Sequence, residues 1–149
     1  MIALDTNILV YAITDDDGAG RHTAACDLLE ALAQTPAIVP LQVVGEFLNV
    51  CKRRKRASYT SAIERADHIL RMYRCVASTP PDYLRAAIMA HRYRLQYFDA
   101  LIISVAMRAG ATILLSEDMQ DGQVIEELTI VNPYAASNKN VLADWFDKR

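Results

Sequence analysis

Short apolar segments of the strand type alternate along this chain with longer segments of helical periodicity, and this alternation restricts the fold more than any other feature. The strand-type segments are Ile2–Leu4, residues 37–39, 76–77 and 112–115, and Leu128–Val131. Helical spacing covers residues 8–13, Arg21–Ala33, 42–55, 58–73 and 99–109, with further helices after Pro81 and near residues 141–146. Strands that alternate with helices predict an α/β protein, with a mostly parallel sheet of four to five strands covered on both faces.

The composition is that of a globular protein, and we expect one domain over residues 1–149. The net charge of −2 argues against a protein that coats nucleic acid by bulk electrostatics. Three scattered cysteines predict neither a zinc site nor a disulfide framework, and free thiols suit a reducing cytoplasm. Asp5 interrupts the first apolar run, and no apolar run reaches about 18 residues, so we expect neither a signal peptide nor a membrane span.

Four acidic residues adjoin or interrupt the apolar segments, namely Asp5, Glu46, Asp99 and Asp118. Asp5 and Asp118 each follow a strand, and ligands of parallel sheets bind at the carboxyl ends of the strands. Helical periodicity places Glu46 at the border of an apolar face and points Asp99 toward the most apolar side of its helix. Because a carboxylate at the edge of a core is costly without a positive partner, the four acids predict a bound cation. Oxygen ligands favour Mg²⁺ or Mn²⁺ over zinc.

Each acid also has a purely structural interpretation. Asp5 can cap the helix that follows it, and Asp99 can be the N-cap of its own helix. Glu46 can be an ordinary solvated residue at a helix border. Asp118 can be an ordinary acid between a strand and a loop, and its neighbour Asp121 can replace or assist it. Taken singly, the four acids leave both interpretations open.

Together, the acidic blocks resemble those of PIN-domain nucleases, and most closely the VapC-like toxins of type II toxin–antitoxin modules. The resemblance runs from residue 2 to about residue 134 and rests on residues 4–11, Glu46, residues 97–102, residues 115–122 and Asn132-Pro133-Tyr134. It implies a three-layer α/β/α fold in which Asp5, Glu46, Asp99 and Asp118 hold the metal. It also assigns supporting positions to Thr6, Asn7 and Ser116.

The resemblance further implies an activity and partners. The activity is that of a Mg²⁺- or Mn²⁺-dependent endoribonuclease, which hydrolyses RNA to leave a 5′-phosphate and a 3′-hydroxyl. The partners are a second copy of the chain in a homodimer and a small antitoxin protein whose tail occludes the acidic groove. Helices Arg21–Ala33 and 58–73 are candidates for these protein-binding surfaces.

Other classes of protein also place acids at the rim of a sheet. A phosphatase of the haloacid-dehalogenase type needs a second aspartate two residues after Asp5, where this chain has Asn7. A receiver-like interaction domain needs a phospho-acceptor aspartate after a middle strand, where this chain has Ser78 and Thr79. A PIN-like domain that binds RNA without cleaving it stays the alternative, although none of the four acids is missing.

A run of cations follows the third helical segment, at Lys52, Arg53, Arg54, Lys55 and Arg56. These residues can be a solvated helix end that complements the helix dipole. They can also contact RNA phosphates, which an acidic protein needs for binding. Three aromatic residues, Tyr93, Tyr97 and Phe98, are predicted to lie in the core, with stacking on RNA bases as the alternative.

Overall fold

The computed structural model describes residues 1–14, 20–54 and 58–138, except for the side chain of Arg54. The strands are β1 (Ile2–Leu4), β2 (Ala37–Pro40), β3 (Arg74–Val76), β4 (Ile113–Leu115), β5 (Val124–Ile125) and β6 (Leu128–Val131). The helices are α1 (Thr6–Tyr11), α2 (Arg21–Ala33), α3 (Leu41–Arg54), α4 (Tyr59–Met72), α5 (Pro80–Tyr93) and α6 (Tyr97–Arg108). The predicted helix at residues 141–146 lies outside the described residues.

The strands form one sheet in the order β3-β2-β1-β4-β6-β5. All neighbouring pairs are parallel except β5 and β6, which form an antiparallel hairpin. The predicted mostly parallel α/β/α architecture is therefore confirmed, with six strands where four to five were expected. The additional strand is β5, which has two residues and is too short to show an apolar periodicity.

The helices form two layers because the chain adds strands on both sides of β1. The chain moves from β1 through β2 to β3 in one direction and then returns past β1 to β4. Because parallel crossovers are right-handed, helices of opposite crossover directions cover opposite faces of the sheet. Accordingly, α1 packs on α2 and α3, α3 packs on α4, and α5 packs on α6. Strands β1 and β2 are buried along their whole length, as expected between two helical layers.

The helix ends follow the local sequence. Helix α2 has the predicted bounds, and Gly110 follows α6 with a φ of 92°, as expected for a glycine just after a helix. Helix α5 begins with two prolines after Thr79, which forms a capping box with Asp82. Within the described ranges, no helix is long and apolar enough to cross a membrane.

A buried ion pair fixes α5 against α6. Asp82 is almost fully buried and accepts hydrogen bonds from Arg108 Nε at 3.0 and 3.1 Å and from Thr79 Oγ1 at 2.8 Å. Burial alone raises the pKa of Asp82, but the bonds from Arg108 and Thr79 hold it below its usual value. This contact joins the last turn of α6 to the first turn of α5 and so orients the helix that carries Asp99.

Candidate active site

Asp5 lies where β1 ends and α1 begins. Its backbone N–H donates to Leu115 O of β4 at 3.0 Å, and its Oδ1 accepts from the backbone N–H of Thr6 at 2.6 Å. Asp5 is therefore the N-cap of α1, as its structural interpretation predicted. Only 5% of its surface is exposed. The cap uses one carboxylate oxygen, and the other faces the residues that follow β4.

Ser116 joins Asp5 to Asp118. Its hydroxyl oxygen lies 2.7 Å from Asp5 Oδ2 and 3.0 Å from Asp118 Oδ1. A hydroxyl has one hydrogen, so Ser116 donates to only one of the two carboxylates at a time. Asn7 Nδ2 donates to the other oxygen of Asp118 at 2.9 Å. Thus Asn7 and Ser116 hold Asp118 beside Asp5, although the loop side chain of Asp118 is exposed.

Glu46 approaches the same place from α3. Its Oε2 accepts from the Thr6 hydroxyl at 2.9 Å, which links it to the residue beside Asp5. Its Oε1 accepts from Gln42 Nε2 at 2.6 Å, and the same amide donates to Phe98 O at 3.2 Å. Gln42 therefore ties α3 to the first turn of α6. Gln42 was not predicted, although its position four residues before Glu46 on a helix places it on the same face.

Asp99 is half-buried in the first turn of α6. The N-cap of this helix is Gln96, so the interpretation of Asp99 as an N-cap is wrong. Burial raises the pKa of Asp99 to about 6, and the charges of Asp118 and Glu46 contribute to the rise. The carboxylate of Asp99 therefore interacts electrostatically with the other predicted acids.

The acidic group has more negative charge than its surroundings balance. Burial raises the pKa of Asp5 to about 7, with a contribution from the charge of Asp118, although bonds from Ser116 and Thr6 oppose the rise. In the part of the chain that the structure describes, the arginine ion pairs are made by other acids, namely Glu117, Asp67, Glu126 and Asp82. Among residues 1–14, 20–54 and 58–138, no arginine is therefore paired with the four acids.

The donors fit a hard divalent cation in type and charge. Carboxylate oxygens are preferred by Mg²⁺ and Mn²⁺, and uncompensated negative charge favours cation binding. In residues 1–14, 20–54 and 58–138, no three acidic, histidine or cysteine side chains already form a compact set of metal ligands. The fit thus rests on the chemistry of the oxygen donors and on the charge that these residues leave unbalanced.

Two acids near Asp118 in the sequence, Glu117 and Asp121, are bonded to residues outside the acidic group. Asp121 Oδ1 accepts from Asn132 N at 2.7 Å and from Asn138 Nδ2 at 2.8 Å, which fastens the turn after β6. Glu117 accepts a hydrogen bond from the Tyr11 hydroxyl and pairs with Arg21 at 3.5 Å. These bonds give Asp121 a role in the turn that carries the Asn132 segment, whereas Asp118 faces Asp5.

The basic run is described only in part. Lys52 and Arg53 are exposed in the last turn of α3, while Lys55, Arg56 and the side chain of Arg54 lie outside what the structure describes. The aromatic prediction was wrong for Phe98, which is 61% exposed, and for Tyr97, which is also exposed. Tyr93 packs partly against the core.

The raised pKa values predict how stability changes with pH. Because the pKa of Asp5 is about 7 in the fold and about 3.9 in an unfolded chain, its favourable contribution is complete below about pH 4 and is lost as the pH rises to about 7. The slope is at most about 1.4 kcal/mol per pH unit. In EDTA, we expect Asp5→Asn to be more stable than the wild type at pH 8, with a smaller difference at pH 5. Equal differences in melting temperature at both pH values would contradict the raised pKa.

Comparison with known proteins gives a family from the sequence and a matching fold from solved structures. The sequence model described as "PIN domain" matches residues 2–120. Ribonuclease VapC7 of Mycobacterium tuberculosis is 29% identical over 153 residues, which cover 97% of this chain and 99% of that protein. The fold is similar to that of M. tuberculosis VapC20, a Sarcin-Ricin loop cleaving toxin, with a TM-score of 0.65 and 21% identity over 79% of this chain and 92% of that one. It is also similar to a chain of a toxin–antitoxin complex from Klebsiella pneumoniae, with a TM-score of 0.65 and 22% identity over 90% and 98% of the two chains.

Proposed function

Because this chain belongs to the PIN-domain family, we propose that it is a metal-dependent endoribonuclease and the toxin of a type II toxin–antitoxin pair. The observation that supports this proposal is the proximity of the four predicted acids. Ser116 contacts Asp5 and Asp118, and Thr6, next to Asp5, contacts Glu46. Asp99 is near enough for the charges of Asp118 and Glu46 to act on it. The name of the relative VapC7 includes ribonuclease, and VapC20 is described as a toxin that cleaves the Sarcin-Ricin loop, which supports the same activity here.

The reaction we propose is hydrolysis of an RNA phosphodiester bond. Water forms a bond to phosphorus as the bond to the 3′ oxygen breaks, so the products are a 5′-phosphate and a 3′-hydroxyl. Asp5, Glu46 and Asp99 would hold Mg²⁺ or Mn²⁺, and Asp118 would hold a second ion or orient the water. When bound, such a metal lowers the pKa of its water and neutralises charge on the phosphoryl oxygens.

The remaining polar residues keep these carboxylates in place. Thr6 and Gln42 fix both oxygens of Glu46, while Ser116 and Asn7 fix Asp118. Such partners restrict the orientation of a ligand before the ligand is used, and removing one typically costs about 10- to 100-fold in metal affinity or activity. Asp118 is the exposed acid of the group, so it is the one that approaching RNA and water meet first.

The test is cleavage of a structured RNA pool by the purified protein with Mg²⁺, Mn²⁺ or EDTA. We expect cleavage with either metal, 5′-phosphate ends on the products, and no cleavage in EDTA. Cleavage that continues in EDTA would contradict a metal-dependent site. Binding of the RNA without cleavage under any condition would favour a PIN-like RNA-binding protein.

Two basic residues support the RNA part of the proposal. Lys52 and Arg53 are exposed near the end of the helix that carries Glu46. For single-stranded RNA, each phosphate contact contributes about 0.7 to the slope of log affinity against log salt. Replacing both residues by alanine should therefore reduce this slope by about 1.4 while leaving metal binding unchanged. The control, Arg71→Ala with Arg92→Ala, changes the net charge equally, and an equal effect from it would refute a local contact.

We propose two protein partners, an antitoxin and a second copy of this chain. The neighbour from K. pneumoniae is a toxin–antitoxin complex, which supports the antitoxin. A cavity of about 270 Å³ between α2 and α4, lined partly by Leu29, Ile69 and Met72, supports the expectation that these helices bind a partner.

For the homodimer, the supporting surface is α5, where Leu84 and Ile88 are 69% and 60% exposed. We expect a Leu84→Glu, Ile88→Glu double variant to sediment as a monomer. The control Val124→Glu, at an equally exposed site on β5, should stay a dimer. A double variant that stays dimeric would place the interface elsewhere.

We also propose a cytoplasmic location. Its support is that Cys26, Cys51 and Cys75 are all free thiols. When protein is extracted under acid, which prevents thiol exchange, and is then alkylated in denaturant, all three cysteines should be labelled. Isolation of a disulfide-linked form would contradict this location.

A further inference from the structure

An open cavity of about 470 Å³ adjoins the carboxylates. It is lined by Gln42, Gly45, Glu46, Asn49 and Phe98. Glu46 belongs to both the cavity and the acidic group, and Phe98 immediately precedes Asp99. The cavity is therefore continuous with the place where a scissile phosphate would lie.

The aromatic wall of this cavity is exposed but held in place. Phe98 is 61% exposed, and its ring contacts the Tyr97 ring edge-on, with centroids 5.4 Å apart. Its backbone oxygen accepts a hydrogen bond from Gln42 Nε2 at 3.2 Å, which fixes this turn of α6 against α3. A large aromatic ring at the edge of an active site, fixed on its backbone and open to solvent, is suited to stack on a flat ligand.

Gly45 also lines the cavity and has no side chain to fill it. Glycine inside a helix lowers its stability relative to alanine. A Cβ at Gly45 would meet no atom within 4 Å, so packing does not require glycine here. The missing side chain leaves the cavity open on this side.

The polar rim of the cavity is made of amides and leads toward positive charge. Gln42 and Asn49 line it. The Gln42 amide already donates to Glu46 and to Phe98 O, so the exposed Asn49 is the amide that is open to a ligand. Seven residues after Glu46, on the same side of α3, is the exposed Arg53, about 10 Å away along the helix. A negatively charged strand that leaves the cavity along α3 would meet this cation.

We propose that this cavity binds one nucleobase of single-stranded RNA, next to the phosphate at the carboxylates, with the base stacked on the Phe98 ring. This inference rests on the proposed function and adds a specificity-determining site to it. A nucleobase fits because it has apolar faces for Phe98 and a hydrogen-bonding edge for the Asn49 amide. Sequence preference at one position beside the cleaved bond would then arise in the cavity, apart from the acids that carry out hydrolysis.

The experiment measures binding of fluorescent RNA decamers to variants made in the cleavage-deficient Asp5→Asn protein with Mg²⁺. The probes are the four homopolymers and, for the one that binds best, a decamer of the same length without bases. We expect Phe98→Ala to weaken binding of the intact decamer by about tenfold, because one stacked base contributes about 5- to 150-fold. Binding of the decamer without bases should not change. Phe98→Trp should retain the affinity, whereas Phe98→Leu should behave like Phe98→Ala.

Gly45→Leu tests the cavity without removing any contact within the protein. It should weaken binding of the intact decamer to a similar degree while the melting temperature is unchanged or higher. Val124→Ala, at a comparably exposed apolar site on β5, is the matched control and should leave binding unchanged.

Several outcomes would overturn the inference. These are an equal loss for decamers with and without bases, unchanged binding by Phe98→Ala and Gly45→Leu, or no homopolymer bound by the Asp5→Asn protein. Dissociation of a dimer by both substitutions would assign the cavity to contact with a second copy. Cleavage of RNA by the wild type with no base dependence at Phe98 would refute this inference alone. Base-dependent binding without any cleavage would refute the nuclease and leave the base site standing.

Discussion

Replacing Asp99 by asparagine is expected to lower kcat/KM for RNA cleavage by at least about 10³-fold in a protein that remains folded. Asparagine keeps the size of the side chain but removes the negative charge, and the electrostatic contribution of such a group to a transition state is several kcal/mol. Because burial and the charges of Asp118 and Glu46 raise the pKa of Asp99 to about 6, the neutral side chain relieves repulsion. In EDTA at pH 8, the variant should therefore melt at a higher temperature than the wild type.

The opposite signs of these two effects make the experiment decisive. Asp67→Asn is the matched control, since Asp67 is an exposed acid paired with Arg71 on the surface of α4. It should leave both cleavage and melting temperature close to those of the wild type. If Asp99→Asn loses activity and stability together, the loss reflects damage to the fold. If cleavage persists at the wild-type rate, Asp99 does not belong to the active site.

Mg²⁺ or Mn²⁺ is expected to raise the melting temperature of the wild type by about 5–10 °C. A ligand that binds only the folded state at 100 times its Kd adds about 2.7 kcal/mol to the free energy of unfolding. For a domain of about this size, 1 kcal/mol shifts the melting temperature by about 2–4 °C. The cation would also compensate the charge of Asp5 and Asp99, whose pKa values are raised by burial and, to a smaller degree, by neighbouring carboxylates. The shift should therefore be larger at pH 8 than at pH 5.

The Asp5→Asn variant distinguishes a melting-temperature shift caused by metal at this site from a general effect of salt. The variant should lose most of the metal-dependent shift, while NaCl at the same ionic strength should produce little shift in either protein. A shift of equal size in the wild type and in Asp5→Asn would mean that the stabilising ion binds elsewhere. The same measurement on Asp121→Asn asks whether Asp121 assists the metal, as its position in the sequence suggested.

The fold was largely predictable because its elements differ in periodicity. Helix α2 was placed to the residue, and β1, β2, β4 and β6 were located because each is a short apolar run between polar or proline boundaries. Strand β5 was missed, since two residues give no pattern and the strand depends on pairing with β6. The order of the strands was not predicted, because it is set by contacts between distant segments.

The sequence indicated which acids lie near one another, but it gave less information about the residues that contact them. Asp5 and Asp118 follow β1 and β4, which are neighbours in the sheet, and the backbone N–H of Asp5 pairs with Leu115 O. Their role as metal ligands stays a prediction from the chemistry of carboxylates. Gln42 carries no charge, so no electrostatic signal marks it, although it holds both Glu46 and Phe98 O. Phe98 was expected in the core because α6 is apolar, but the buried residues of that helix start at Ala100.

Because β1 pairs with β4, the acidic group can be completed only after β4 has been synthesised. Asp5 is made long before Leu115, with which its backbone N–H pairs, and before Ser116 and Asp118, which its carboxylate meets. A nascent chain on the ribosome therefore holds Asp5, Glu46 and Asp99 while Asp118 and the strand that precedes it are still missing. Asp118 is translated only after β1 to β4 and α1 to α6. A chain whose synthesis stops before β4 therefore has an unfinished acidic group.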